Sequence, residues 1–106
     1  MDKYSLSDMK LGWFIGDFSP VAYKTDAAEV AVKHYKTGDY DKKHYHKIAT
    51  ETTTIVIGRV KMNDIEYKTG DVLVIPPGEA TDFMVLEPTV TVVVKIPGVK
   101  NDKYEV

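Results

Sequence analysis

Cysteine is absent from the 106-residue sequence, and arginine is almost absent. Without cysteine the chain has no disulfide, thiolate metal site, iron–sulfur cluster or cysteine nucleophile. Arg59 is the only arginine among 14 basic residues, which are outnumbered by 16 acidic residues. Because duplex-binding surfaces combine clustered basic charge with bidentate arginine contacts, we expect no nucleic-acid partner.

Long apolar segments are also missing. The longest runs, such as residues 90–94, are far too short to cross a membrane. The first residues carry no basic region followed by an apolar stretch, so they do not resemble a secretory signal. We therefore expect a cytoplasmic protein with no membrane partner.

The remaining composition is that of one small globular domain. The chain is 43% hydrophobic and 28% charged, which is close to the average of folded domains, and its length allows a single core. We divide it into an aromatic-rich N-terminal arm (1–28) that packs on the domain or on a partner, a β-barrel body (29–98) and a polar C-terminal tail (99–106). The only tryptophan, Trp13, lies in the arm, where it either covers the core or closes a pocket mouth or subunit contact.

Short strands dominate the pattern from residue 29 onward. Turn signals such as Gly38-Asp39 and Asn63-Asp64 separate stretches of alternating or β-branched residues. The predicted strands cover residues 30–34, 43–48, 52–57, 65–68, 72–75, 82–86 and 90–96. About seven or eight short strands with no long amphipathic helix predict an all-β sandwich or barrel.

The strands carry more apolar surface than a monomer needs. Residues 52–57 and 90–94 are apolar or β-branched on both faces, whereas a solvent-facing strand normally alternates with polar residues. We therefore expect a homodimer.

Basic and tyrosine side chains are assigned to the outside of the barrel. Lys42, Lys43 and Lys47 form either a solvated strand edge or an attractor for an anionic substrate. The tyrosines expected to pack outside are Tyr35, Tyr40 and Tyr45.

Two of the three histidines stand two residues apart on a predicted strand. His44 and His46 therefore point to the same face, one pleat apart. A short turn after them would bring the carboxylate of Glu51 back beside the two rings. Two imidazoles and one carboxylate suit a borderline divalent ion, namely Fe(II), Mn, Co, Ni, Cu or Zn.

The spacing around these residues resembles that of a known family. Gly38, five residues, His44-x-His46, four residues, Glu51, six residues and Gly58 follow the order and spacing of the first motif of the cupin family. This resemblance implies an all-β cupin double-stranded β-helix, also called a jelly-roll barrel. It also implies a metal in the barrel mouth, held by three histidines and one glutamate. Three of those ligands carry over as His44, His46 and Glu51.

The second cupin motif is only partly present. Gly70 and Pro76-Pro77-Gly78 match its turn positions, but Thr81 stands where the motif has its histidine and Val85 where it has asparagine. A threonine hydroxyl is a poor ligand for a borderline ion. The fourth position is therefore open to Thr81 with water, to Asp82 if a bulge reorients it, or to His34.

Several functions remain open at this point. The first is a metalloenzyme, a dioxygenase, isomerase or lyase, in which a divalent transition metal such as Fe(II), Mn, Ni, Zn or Co keeps open positions for a small-molecule substrate. The second is a non-catalytic cupin that binds or senses a small molecule or metal, including a metal-free pocket in which the imidazoles bind a ligand. A metal-independent sugar-nucleotide epimerase is disfavoured, because a chain with a single arginine offers little for a diphosphate.

Overall fold

The computed structural model describes residues 1–106 and confirms the all-β fold. Its nine strands are β1 Trp13–Gly16, β2 Tyr23–Lys24, β3 Glu29–Tyr35, β4 Tyr40–Tyr45, β5 Thr50–Met62, β6 Ile65–Lys68, β7 Val72–Ile75, β8 Thr81–Ile96 and β9 Tyr104–Glu105. The only helical segments are the 3₁₀ turns Leu6–Asp8 and Lys10–Gly12. None of the helices has the length and apolar character needed to cross a membrane.

The two longest strands, β5 and β8, connect the whole sheet. They pair with each other antiparallel along most of their length. At one end of this pair, β7 pairs with the other edge of β5, and β3 pairs with the other edge of β8. β1 then pairs with β3, and β2 with β1. At the other end, β6 and β4 add to the outer sides, and β9 follows β4. The two ends of the long strands thus build the two sheet halves of a double-stranded β-helix.

A bulge bends β5 and β8 between the two halves. Ile57 pairs with Val90 and Arg59 with Glu87, so that Gly58 faces two residues of β8. Gly58 has a φ of 117°, and a Cβ there would lie 2.7 Å from the carbonyl oxygen of Pro88. Only glycine tolerates this approach. Pro88 is tolerated within β8 because it lies at the bulge, where it has no pairing partner on β5. Its lack of a backbone N–H therefore breaks no hydrogen bond of the sheet.

The apolar core lies between the two halves. It contains the buried residues Ile55, Val60, Met62, Ile75, Phe83 and Val85, of which Ile55 and Val60 are fully buried. Ile55 and Ile75 come from one half of the sheet and the others from the second half. Two of these core residues, Met62 and Phe83, also line a cavity of the barrel.

Several predicted elements differ from the observed ones. β6 and β7 have the predicted bounds, but predicted strands 82–86 and 90–96 are one strand, because Pro88 sits at the bulge instead of ending the strand. β4 begins and ends three residues earlier than predicted. The N-terminal arm contains β1, which pairs with β3. The segment expected to be a polar tail contains β9, which pairs with β4.

Candidate functional site

His44 lies at the end of β4 with one ring nitrogen already engaged. Its Nδ1 is 2.9 Å from the carbonyl oxygen of Lys42. Because a carbonyl only accepts hydrogen bonds, Nδ1 donates the proton, and Nε2 is the acceptor of the neutral ring. The ring lines the open end of the barrel. His44 therefore presents a free acceptor nitrogen to the cavity.

His46 follows β4 directly and is only 6% exposed. Its ring lies 5.4 Å from that of His44, edge to face, and its Nδ1 is 4.0 Å from Oε1 of Glu51. The Nε2 atom is buried and has no hydrogen-bond partner. Burial and, after it, the nearby ammonium of Lys95 lower the pKa of His46, so the neutral imidazole is favoured. A buried nitrogen without a partner costs free energy, which indicates that a binding partner is missing.

Glu51 and Thr81 stand where the sequence places them. Glu51 lines the cavity from β5, and its Oε2 accepts a hydrogen bond from the Thr53 hydroxyl at 3.1 Å. Thr81 is buried and pairs directly with His44 across β4 and β8. Its hydroxyl, however, donates to the carbonyl oxygen of Asp82 at 2.8 Å. The backbone thus brings position 81 beside the histidines, with a side chain engaged elsewhere.

The other two candidates for the fourth position serve different roles. Asp82 reaches the cavity mouth, but its Oδ1 accepts a hydrogen bond from the backbone N–H of Asn63 at 2.8 Å. Its carboxylate therefore caps the turn between β5 and β6. His34 is exposed and shares the outer face of β3 with Val30 and Val32, opposite to the buried Ala31. This register excludes His34 from the barrel interior.

Asp102, which sequence reasoning did not single out, holds the loop that follows His46. Its carboxylate accepts backbone N–H bonds from Lys47, Ile48 and Ala49 at 2.9–3.0 Å. Burial alone would raise the pKa of Asp102, but the three N–H donors outweigh it and hold the pKa below its usual range. No periodicity in the polar segment 99–106 identifies this residue. It fixes the backbone on which His46 is carried.

The C-terminal strand completes the same wall of the site. Glu105 pairs with His44 and Tyr104 with Tyr45. The rings of Tyr45 and Tyr104 stack at 5.5 Å, and the ammonium of Lys47 lies 4.1 Å above the Tyr104 ring. Lys47 therefore packs against the C-terminal strand and does not form a free attractor for anions.

The open end of the barrel encloses a cavity of about 250 Å³. Trp13, from the N-terminal arm, is one of the residues that line it. The prediction that Tyr35 packs outside is wrong: its ring lies 5.0 Å from Phe83 and also lines the cavity. The register places it inward because Tyr35 is in phase with the buried Ala31. Burial raises the pKa of Tyr35 to about 12.

Two lysines point into this cavity without a counter-ion. Lys33 and Lys95 line it from β3 and β8, and no carboxylate oxygen lies within 4.0 Å of either ammonium. A third lining lysine, Lys103, is paired with Asp41 at 3.3 Å. Burial and then the charge of Lys95 lower the pKa of Lys33. The alternation of β3 and β8 could have revealed both, because each is in phase with buried residues of its strand.

The donor atoms present fit a divalent metal in their chemistry. The set offers two imidazoles, one with an orphaned buried nitrogen, and an adjacent carboxylate. As the side chains are placed, no three imidazole or carboxylate groups stand together as a metal site. The fold brings His46 next to both other residues: its ring is 5.4 Å from that of His44, and its Nδ1 is 4.0 Å from the Glu51 carboxylate.

Solved structures share this architecture. A protein with a double-stranded β-helix domain from Klebsiella pneumoniae is 30% identical over 70% of this chain and 66% of its own, with a TM-score of 0.64. A cupin-2 domain protein from Shewanella frigidimarina is 17% identical over 68% and 72% of the two chains, with a TM-score of 0.59.

A third neighbour is the DMSP lyase DddQ from Ruegeria pomeroyi. It is 18% identical over 89% of this chain and 49% of its own, with a TM-score of 0.72. The chain thus spans about half of the lyase and slightly under two thirds of the Klebsiella protein. No family model and no curated protein matches the chain.

Proposed function

The chain belongs to the cupin superfamily, and from that premise we propose that its barrel cavity is a small-molecule site in which His44, His46 and Glu51 hold a divalent transition metal. The observation that carries the proposal is the buried, unpartnered Nε2 of His46, whose ring lies 5.4 Å from that of His44. Neutral imidazole is the form that ligates metals, and burial favours that form of His46.

In this proposal the neighbouring residues fix the orientation of the three metal-ligand side chains. The carbonyl of Lys42 fixes the His44 tautomer, and the Thr53 hydroxyl orients the Glu51 carboxylate. Asp102 fixes the loop after His46. A bound Fe(II), Mn, Ni, Zn or Co ion would supply Lewis-acid polarisation of a coordinated substrate oxygen. With two imidazoles and one carboxylate as ligands, open positions remain for substrate, which suits an isomerase, a lyase or a dioxygenase.

A second candidate is a non-catalytic cupin that binds or senses a small molecule in the same cavity. The specific observation in its favour is that Lys33 and Lys95 already place two unpaired positive charges in the cavity. Such charges disfavour a dication and favour an anionic ligand. The two candidates differ in whether the metal is needed for binding.

The metal is tested by titrating the apoprotein with Zn²⁺ against a chromophoric chelator. We expect one ion per chain in the wild type and no competitive binding in His44→Ala or His46→Ala, because each substitution leaves only two protein ligands. His34→Ala is the matched control, because His34 lies on the outer face. Loss of binding in His34→Ala, or unchanged binding in the other two variants, would place the metal elsewhere.

We also propose a homodimer formed through the outer face of β7 and β5. Val72 and Val74 are 61% and 63% exposed and pair with Thr54 and Thr52 on β5. The outward residues Val92 and Val94 on β8 extend this face. An apolar, β-branched face of this width is unusual on a monomer.

Light scattering tests the dimer. We expect twice the chain mass of 11.9 kDa at micromolar concentration and a shift to the single-chain mass in Val74→Lys. Val106→Lys is the matched control, because Val106 is exposed and follows β9, which pairs with β4 and not with β5 or β7. A single-chain mass for the wild type contradicts the dimer.

A further inference from the structure

Trp13 and two lysines form a distinct group at the mouth of the barrel. Trp13 pairs with Ala31 on β3, and Ala31 pairs with Val93 on β8. Lys33 lies two residues after Ala31 and Lys95 two residues after Val93, so both share the inward face. Because the strands are antiparallel, the two lysines lie on opposite sides of the Ala31–Val93 pair. Their ammonium groups lie 5.1 Å and 4.9 Å from the indole centroid of Trp13. The two cations therefore share one aromatic ring.

The group carries two positive charges without a direct ion pair. Neither ammonium has an ion-pair partner, although both side chains are half-buried. Lysine is rarely withdrawn from water unless it is paired. The contact with an aromatic face recovers only part of the lost hydration. Two like charges facing one ring in a cavity therefore indicate an anionic ligand as the missing partner.

We propose that Lys33, Lys95 and Trp13 bind the carboxylate of a small organic acid. The two ammonium groups would donate charge-assisted hydrogen bonds to it, and the apolar part of the acid would lie against Met62 and Phe83 deeper in the cavity. This inference rests on the small-molecule cavity of the proposed function, but not on the metal.

The surrounding charges favour a carboxylate over a phosphate. Glu51 and Asp82 also line the cavity, and they repel a dianion more strongly than a monoanion. The only arginine, Arg59, which would suit a phosphate by its bidentate geometry, pairs instead with Glu66 and Glu87. The cavity of about 250 Å³ limits the ligand to a small acid.

The test follows the single indole resonance of Trp13 in ¹⁵N-labelled protein. Acetate, butyrate and 3-phenylpropionate are titrated into metal-free and zinc-loaded protein, with butyramide as the neutral isostere of butyrate and inorganic phosphate as the alternative anion. We expect saturable shifts with the longer acids and none with butyramide. Lys33→Gln and Lys95→Gln should each weaken binding about tenfold, the loss of one charge-assisted hydrogen bond.

Lys24→Gln is the matched control, because it removes the same charge from an exposed strand away from the cavity. The proposal would be overturned if butyrate and butyramide bound equally, or if the cavity variants had the same effect as Lys24→Gln. It would also be overturned if phosphate bound more tightly than every acid, or if no acid bound. Lysine-dependent acid binding in a protein that takes up no zinc would uphold this site and reject the metal. Zinc uptake without lysine-dependent acid binding would uphold the metal and reject the acid site.

Discussion

Asp102→Ala is expected to lower the free energy of unfolding by about 3–5 kcal/mol. The substitution removes a buried carboxylate that accepts three backbone N–H bonds and leaves those donors without partners. Hydrogen bonds to a charged group are among the stronger ones, and the buried N–H of Ala49 would be left unsatisfied at a further cost. Urea unfolding measures the difference. Asp8→Ala, at an exposed aspartate in a 3₁₀ turn, should change stability by less than about 0.5 kcal/mol.

Asp102 should also make the free energy of unfolding depend on pH, with a definite sign. The folded-state pKa of Asp102 is lower than its unfolded value of 3.8. Its contribution is therefore complete above the unfolded pKa and is lost as the pH falls through the folded pKa. The stability difference between wild type and Asp102→Asn should be constant at neutral pH and shrink below about pH 4. A difference that is independent of pH down to acid unfolding would contradict this role of the carboxylate.

Thr81→His is expected to raise zinc affinity on the order of hundredfold, because it adds a pre-oriented imidazole to the proposed site. Position 81 is buried, faces inward and pairs directly with His44. The cavity beside it gives room for the larger ring. The change would also close one open coordination position, so an enzyme whose substrate chelates the ion should lose activity while it holds the metal more tightly.

A competitive chelator titration compares the two proteins. Glu79→His, on the exposed turn before β8, controls for the addition of a histidine anywhere on the chain. Equal zinc affinities of wild type and Thr81→His would show that position 81 does not face the ion or that the shell is already complete.

Local signals in the sequence were sufficient for most of the strand pattern. β6 and β7 are bounded by turn residues on both sides, and the β-branched run in β5 is unambiguous. The continuity of β8 was not predicted, because the tolerance of Pro88 within this strand depends on Gly58 in a distant part of the chain. β9 was missed for a related reason. A two-residue strand is stabilised by its partner, here Tyr45 against Tyr104, and such pairing leaves no local trace.

The same division holds for the candidate site. Strand alternation alone predicts which face of its strand His44 occupies. The cupin spacing adds Glu51, and the fold brings the carboxylate of Glu51 within 4.0 Å of the His46 ring. Asp102 lies more than 50 residues from its hydrogen-bond donors, so only the folded chain connects them. Lys33 was overlooked because a charged residue in a strand is ordinarily assigned to the solvent face.

The most direct measurement of the metal site is the ring ¹⁵N spectrum of the three histidines during addition of zinc to the apoprotein. We expect the resonances of Nε2 of His44 and Nε2 of His46 to change at one equivalent of zinc, while Nδ1 of His44 keeps the shift of a protonated nitrogen bonded to the carbonyl of Lys42. His34 should not respond. A spectrum in which His44 and His46 are unchanged at saturating zinc, or in which His34 alone responds, would contradict a metal site formed by His44, His46 and Glu51.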